Sequence, residues 1–309
     1  MKVKILILKK NHLLSIIFAV AFLFSLLILW RVKTSSKALN TLNPLRYKED
    51  LNVDLTGDGV KDNIYIGTKD NNYYVEISSN KKNYYLKCNN KLNSLGKFKE
   101  DYPINLRIHD ISRDKIPEIF IQSSENGVPI QHIFTFHNKE FKDIFCSNGN
   151  ILGFLDYKNN KTPKLITGTL NKGNIDLGYY MMINEKLENY SFDSSLLPGK
   201  KSIMDFITYI ESLPYGEEYK PDVFYQGFGE SSLYAIDKIS SECYEVSFIQ
   251  GYFTDSKWDN SGNITEVTWN LDFKGKGKDD NSNKSYSLKV NLIIDKNSNN
   301  EFKINSLSI

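Results

Sequence analysis

Asp54-Leu-Thr-Gly-Asp-Gly-Val-Lys-Asp62, running straight into Asn63-Ile-Tyr-Ile66, is the stretch on which the reading of this chain turns. Counted from Asp54, oxygen-bearing side chains stand at positions one, three, five and nine: Asp54, Thr56, Asp58 and Asp62. Gly59 occupies position six, where a calcium loop must turn sharply and a residue without Cβ costs least. The carbonyl of Val60, at position seven, would complete the set as a backbone ligand. Calcium takes about six to eight hard oxygens, and this spacing lets a short loop wrap one ion. Thr56 leaves position three without a charge. Tyr65 stands at position twelve, where a helix-loop-helix calcium site has a bidentate Glu, and the loop leads into alternating β pattern instead of a helix. The other reading is a polar β-turn with acids on it.

The loop recurs. Asp110-Ile-Ser-Arg-Asp-Lys-Ile-Pro-Glu118 places Asp110, Ser112, Asp114 and Glu118 at the ligand positions, with the Ile116 carbonyl at seven. Lys115 replaces the glycine, which predicts strain in the turn and a local cation competing with any metal. Asp156-Tyr-Lys-Asn-Asn-Lys-Thr-Pro-Lys164 keeps Asp156 and Asn160 only, and its closing carboxylate has become Lys164, so no ion is expected there. Loop starts at 54, 110 and 156 give a period of about 50 residues, which signals a repeat architecture. Short strands separated by polar turns fill residues 51–192, each unit reading as a strand, the acidic loop and three more strands. Four antiparallel strands per repeat make a propeller blade.

The D-x-T-G-D-G-x-x-D loop followed by an apolar strand resembles the FG-GAP/VCBS repeat family over residues 50–192. The resemblance implies integrin-type β-propeller blades with calcium in such loops. The first loop carries the pattern; the second and third depart from it as described. Three units are fewer than the usual ~4–8 blades, so the rest of the circumference is either open or filled by the C-terminal part.

Ahead of the repeats, Leu13–Trp30 reads LLSIIFAVAFLFSLLILW, an uncharged apolar run behind Lys2, Lys4, Lys9 and Lys10. A helix needs roughly 17–25 such residues to span a bilayer. The run exceeds the ~7–15 residues of a signal peptide core and no clean A-x-A site follows. The expectation is a cytoplasmic tail over 1–12, a single-pass anchor over 13–30 and a linker over 31–49, oriented N-in and C-out. Secretion after signal cleavage is the alternative. The repeat β domain is assigned to 50–198.

Near residue 199 the pattern changes. Ile203, Phe206, Ile207, Ile210 and Leu213 share one helical face, with Ser202 as expected N-cap and Pro214 as stop. Strands are expected at 232–239, 243–254, 264–274, 285–295 and 301–308, so 199–309 reads as a small α+β domain. The fold class is therefore mainly β: an N-terminal transmembrane helix, propeller-like units of four antiparallel strands, then the α+β module.

A formal net charge of +2 gives no basic field for nucleic acid. Cys88, Cys146 and Cys243 are odd in number and widely spaced, with no C-x-x-C, so neither a disulfide framework nor a zinc site is expected. Free buried thiols are expected, a Cys88–Cys146 bridge being the alternative. His109 immediately precedes the Asp110 loop, His132 and His137 do not fall at same-face strand spacing, and all three read as surface or satisfied strand histidines, not as a catalytic or zinc set. Tyr73-Tyr74 and Tyr84-Tyr85 put one ring on each sheet face, and the outward rings suit stacking on sugars. No nucleophile elbow or P-loop is present, so the chain is read as a non-enzyme. The expectation is a membrane-anchored extracytoplasmic binding or scaffold protein, calcium-stabilised, with a protein or glycan partner at the cell surface. A cell-envelope hydrolase or an accessory subunit of a membrane complex is the alternative.

Overall fold

Type I′-like turns organise the first half of the molecule. Asp70-Asn71, Asn126-Gly127, Asn138-Lys139 and Lys172-Gly173 all take positive φ at both central residues, the geometry whose twist matches a tight β-hairpin. This computed structural model describes residues 53–309 except 81, 90, 185, 191–196 and 280–281. The expected tail, anchor and linker at 1–49 lie outside them. Among the described residues no helix is long and apolar enough to cross a membrane.

The architecture is mainly β, in three sheets. Sheet I joins β1 (Asn63–Lys69), β2 (Asn72–Ser79) and β3 (Lys82–Tyr85), with a bridge from Val53 to Asp62 beside it. Sheet II is β4 (Asn105–His109), β5 (Glu118–Glu125), β6 (Val128–His137) and β7 (Glu140–Ser147), paired antiparallel in chain order. Sheet III begins the same way with β8 (Ile151–Leu155), β9 (Lys164–Asn171), β10 (Asn174–Ile183) and β11 (Lys186–Asn189). Two helices follow, α1 (Lys200–Ser212) and α2 (Glu230–Glu242). Sheet III then resumes with β12 (Cys243–Trp258), β13 (Ile264–Gly277), β14 (Asn283–Asp295) and β15 (Glu301–Ser308).

The sheets stack face to face, and sheet II is the middle layer. Its strand β5 is buried from Glu118 to Ser124, because alternate side chains enter two different cores. Ile119 and Ile121 join Leu106 and Phe134 against Leu55, Tyr73, Val75 and Ile77 of the first unit. Phe120 points the other way and packs with Ile133 on Leu152, Phe154 and Leu165 of the third. A strand buried on both faces reads as a continuous apolar run, as Ile119-Phe-Ile121 does.

The third unit does not end in a free edge. β12 pairs parallel with β8, Gly251 opposite Ile151 through Thr254 opposite Phe154. One eight-stranded sheet thus runs across the boundary expected near residue 199, and none of the three sheets closes on itself. Ile151, Leu155, Ile166 and Tyr179 share a core with Phe206 and Ile210 of α1, Ile236 and Ile239 of α2, and Phe253 and Trp269. Gly153 permits this: a Cβ there would sit 2.2 Å from Cζ of Phe253, whose ring stacks on Trp269 at 4.2 Å.

The same C-terminal strands also lie along β4. Asn105 Nδ2 donates to Asp272 Oδ2 at 3.0 Å, and Gln250 Nε2 donates to the same oxygen at 2.9 Å. The Arg107 guanidinium lies 4.8 Å from the Tyr252 ring centroid, and His109 Nε2 meets the Tyr252 hydroxyl at 2.6 Å. Burial drives the His109 pKa down to about 4, with Arg107 adding to the effect.

Two local expectations are corrected. Residues 232–239 form part of α2, not a strand: Ser232, Ala235, Ile236, Ile239 and Ser240 are the buried positions, a three-and-four spacing that matches the helical period. Ser202 is not the N-cap of α1. Gly199 holds that place in a left-handed conformation without a side-chain cap, and the Ser202 hydroxyl instead donates to the Phe302 carbonyl of β15.

Candidate metal-binding loops

The three acidic loops share one backbone form although their sequences diverge. Positions four and six take left-handed φ in each: Gly57 (70°) and Gly59 (82°), Arg113 (66°) and Lys115 (74°), Asn159 (50°) and Lys161 (61°). For Arg113, Lys115 and Lys161 this costs roughly 1–2 kcal/mol apiece, whereas Asn159 enters this region more readily, so both loops retain the shape against local preference. The expected strain at Lys115 is present, and Arg113 shares it.

The first Asp of each loop holds that shape by collecting backbone N–H groups. Asp54 Oδ1 accepts from Thr56, Gly57 and Asp58, and Oδ2 accepts from Gly59 at 2.8 Å. Asp110 accepts from Arg113 at 2.6 Å and Lys115 at 3.1 Å. Asp156 accepts from Asn160 at 3.1 Å and Lys161 at 2.6 Å. Position five repeats too: Asp58, Asp114 and Asn160 each accept the N–H two residues on, from Val60, Ile116 and Thr162.

Position nine separates the loops. Asp62 is fully buried; its Oδ2 accepts the Leu55 N–H at 2.7 Å, while Oδ1 is buried without a partner. Glu118, also fully buried, repeats this: Oε2 accepts from Ile111 at 2.8 Å and Ser112 at 3.4 Å, and Oε1 has no partner. Burial raises the Glu118 pKa, partly offset by the Ile111 and Ser112 hydrogen bonds. A buried carboxylate oxygen without a donor is costly, and a cation held in each loop would satisfy its own. Lys164 stands there in the third loop, its pKa lowered by burial and raised in part by Asp156.

In the first loop Ser79 stands between two of the expected ligands, Thr56 and Asp58. Thr56 Oγ1 lies 3.0 Å from Ser79 Oγ, which is 3.5 Å from Asp58 Oδ2. Ser79 ends β2, and no loop spacing connects it to the site. In the second loop Ser112 Oγ lies 3.3 Å from Asp110 Oδ1. The first two loops adjoin: a Cβ on Gly57 would come within 2.5 Å of Ile116 Cδ1.

No protein-family model matches the chain, and no curated protein matches it.

One cluster has no counterpart in the sequence reading. His132, read as a strand histidine, is buried with Asp143 beside Cys88: Nδ1 lies 3.0 Å from Asp143 Oδ2 and Nε2 lies 3.8 Å from Cys88 Sγ. All three cysteines are free thiols. The order thiol, imidazole, carboxylate resembles a nucleophilic triad. Burial, with Asp143 and Cys146 adding, pushes the Cys88 thiol up to about 12, which is the opposite of an activated nucleophile. Separations of 44 and 11 residues match no motif. Strand register places Cys146 across from His132.

Proposed function

We propose that this chain is a membrane-anchored, extracytoplasmic binding or scaffold protein whose propeller-like β units are stabilised by calcium in the loops at Asp54–Asp62 and Asp110–Glu118. The observation that carries the reading is the pair of buried, partnerless carboxylate oxygens, Asp62 Oδ1 and Glu118 Oε1, at the same position of two loops with the same backbone form. Asp54, Thr56, Asp58 and the Val60 carbonyl supply the further oxygens of the first site, and Asp110, Ser112, Asp114 and the Ile116 carbonyl those of the second. Sites of this type on extracellular modules hold calcium at about 10⁻⁴–10⁻³ M, which suits an extracytoplasmic location. Leu13–Trp30 serves as the anchor.

A binding role for sheet I has its own support. Tyr65 pairs with Glu76, and Glu76 with Tyr85, across three strands. Tyr65 and Tyr85 are both more than half exposed. Two aromatic faces flanking a carboxylate suit a glycan, which stacks and donates hydroxyls at once.

Protease added to intact cells tests the reading. Cleavage of the large domain from outside, faster after calcium chelation, is the expected result. Survival of the domain, or an identical rate with and without chelator, sinks it.

A further inference from the structure

Between β6, β7 and the segments that follow β3 lies a set of donors unlike the oxygen-only loops. Cys88 Sγ, a His132 ring nitrogen and an Asp143 oxygen all lie within 4.8 Å of one another. The His132 and Asp143 side chains are fully buried. His132 Nε2 faces two groups, Cys88 Sγ at 3.8 Å and the Ser94 carbonyl oxygen at 3.1 Å. Its Nδ1 is taken by Asp143 Oδ2 at 3.0 Å, an oxygen that also accepts the Asn89 N–H at 3.2 Å.

We propose that Cys88 Sγ, His132 Nε2 and the Ser94 carbonyl hold a zinc-class divalent ion, with Asp143 orienting the imidazole. Tetrahedral zinc bonded at about 2.3 Å to sulfur and about 2.0–2.1 Å to nitrogen and oxygen puts its ligands about 3.6 Å (S to N) and about 3.4 Å (N to O) apart. The observed 3.8 and 3.1 Å lie within a few tenths of those spans, so small shifts seat the ion. Asp143 supplies the carboxylate–histidine–metal arrangement, which fixes the ring and its tautomer. Thiolate with imidazole selects zinc over calcium or magnesium, which prefer oxygen alone. Cys146, across from His132 and near enough to raise the Cys88 pKa, is a further soft donor beside the set.

The ion would join chain segments far apart in sequence. Cys88 and Ser94 follow sheet I, and His132 and Asp143 belong to sheet II. The described residues between Cys88 and Ser94 belong to no helix or strand, and a metal clip is an efficient way to fix Cys88 and Ser94 to the neighbouring strands.

Cobalt substitution of the purified full-length protein tests the proposal. Cobalt alone, added to metal-stripped protein, should give visible d–d bands and a near-ultraviolet thiolate-to-cobalt band at one equivalent, displaced by zinc but not by calcium. Cys88→Ser should abolish the thiolate band. Asp143→Asn should keep it but weaken binding about 10–100-fold. No thiolate band in the wild-type protein overturns the proposal without reference to any variant. So does a band unchanged in Cys88→Ser, or a Cys88–Cys146 disulfide found by non-reducing mass analysis. The calcium reading is independent of these outcomes, because its melts are run in calcium against a calcium-selective chelator.

Discussion

The Asp255 carboxylate on β12 accepts the backbone N–H of Asp156, a residue 99 positions earlier. In the first two loops the ninth residue supplies a carboxylate to amides near the loop start, Asp62 to Leu55 and Glu118 to Ile111. In the third, Lys164 has taken that place, and the C-terminal sheet delivers an acid to the loop from outside. Trp258 Nε1 reinforces the joint by donating to the Asp156 carbonyl at 2.8 Å.

That contact sets a pH dependence. Burial, with Asp156 nearby, raises the Asp255 pKa from 3.8 to about 6, against the pull of the Asp156 N–H. The folded state therefore binds the proton more tightly than the unfolded chain. The stability this contributes is complete below the unfolded value and is lost as pH rises through about 6. Asp255→Asn keeps an acceptor for the Asp156 amide and removes the charge. Melting temperatures from pH 4 to 8 should show the variant more stable than wild type at pH 7 and level with it near pH 4. A difference independent of pH would refute the assignment.

The oxygen loops predict a graded calcium response. At free calcium about 100-fold above the dissociation constant, linkage stabilises by roughly 2.7 kcal/mol per site; at equality it gives about 0.4 kcal/mol. Asp58→Ala should remove most of the calcium-dependent rise in melting temperature from the first loop. Glu118→Gln should raise the calcium-free melting temperature, since a carboxyl whose pKa burial raises no longer needs to ionise, and should lower the rise on adding calcium. Asp156→Ala should lower the baseline by leaving the Asn160 and Lys161 amides uncapped, yet leave the rise unchanged. Melts indifferent to millimolar calcium and to chelator would show all three loops to be polar turns only.

Cutting the chain at residue 199 should be damaging. The cut strips β8 from the edge of β12 and removes Ile151, Leu155, Ile166, Leu170 and Tyr179 from the core they share with the helices. A fragment of residues 199–309 should melt without cooperativity and self-associate through the bared β12 edge, since unpaired strand edges recruit partners. A monomeric fragment with a cooperative melt would show that β12–β15 and the helices suffice alone.

Local chemistry in the sequence was enough for the three loops. Asp54, Asp110 and Asp156 announce three loops because an Asp followed by tight turns satisfies its own neighbours' amides, a short-range interaction visible in spacing. The hairpins at Asp70-Asn71 and Asn126-Gly127 are legible for the same reason, as positive φ selects few residue types. Helix α2 was expected as a strand although Leu233, Ile236 and Ile239 stand three apart, a helical spacing. Its burial against β15 settled the matter. Three features depend on contacts between residues that no spacing links: the parallel pairing of β8 with β12, the delivery of Asp255 to the third loop, and the meeting of Cys88, His132 and Asp143. They arise when separate segments bury apolar faces together and their polar groups must find partners inside. Sequence therefore fixed the loops and the strand periodicity, while only packing decided which strand closes the third unit and which buried donors stand side by side.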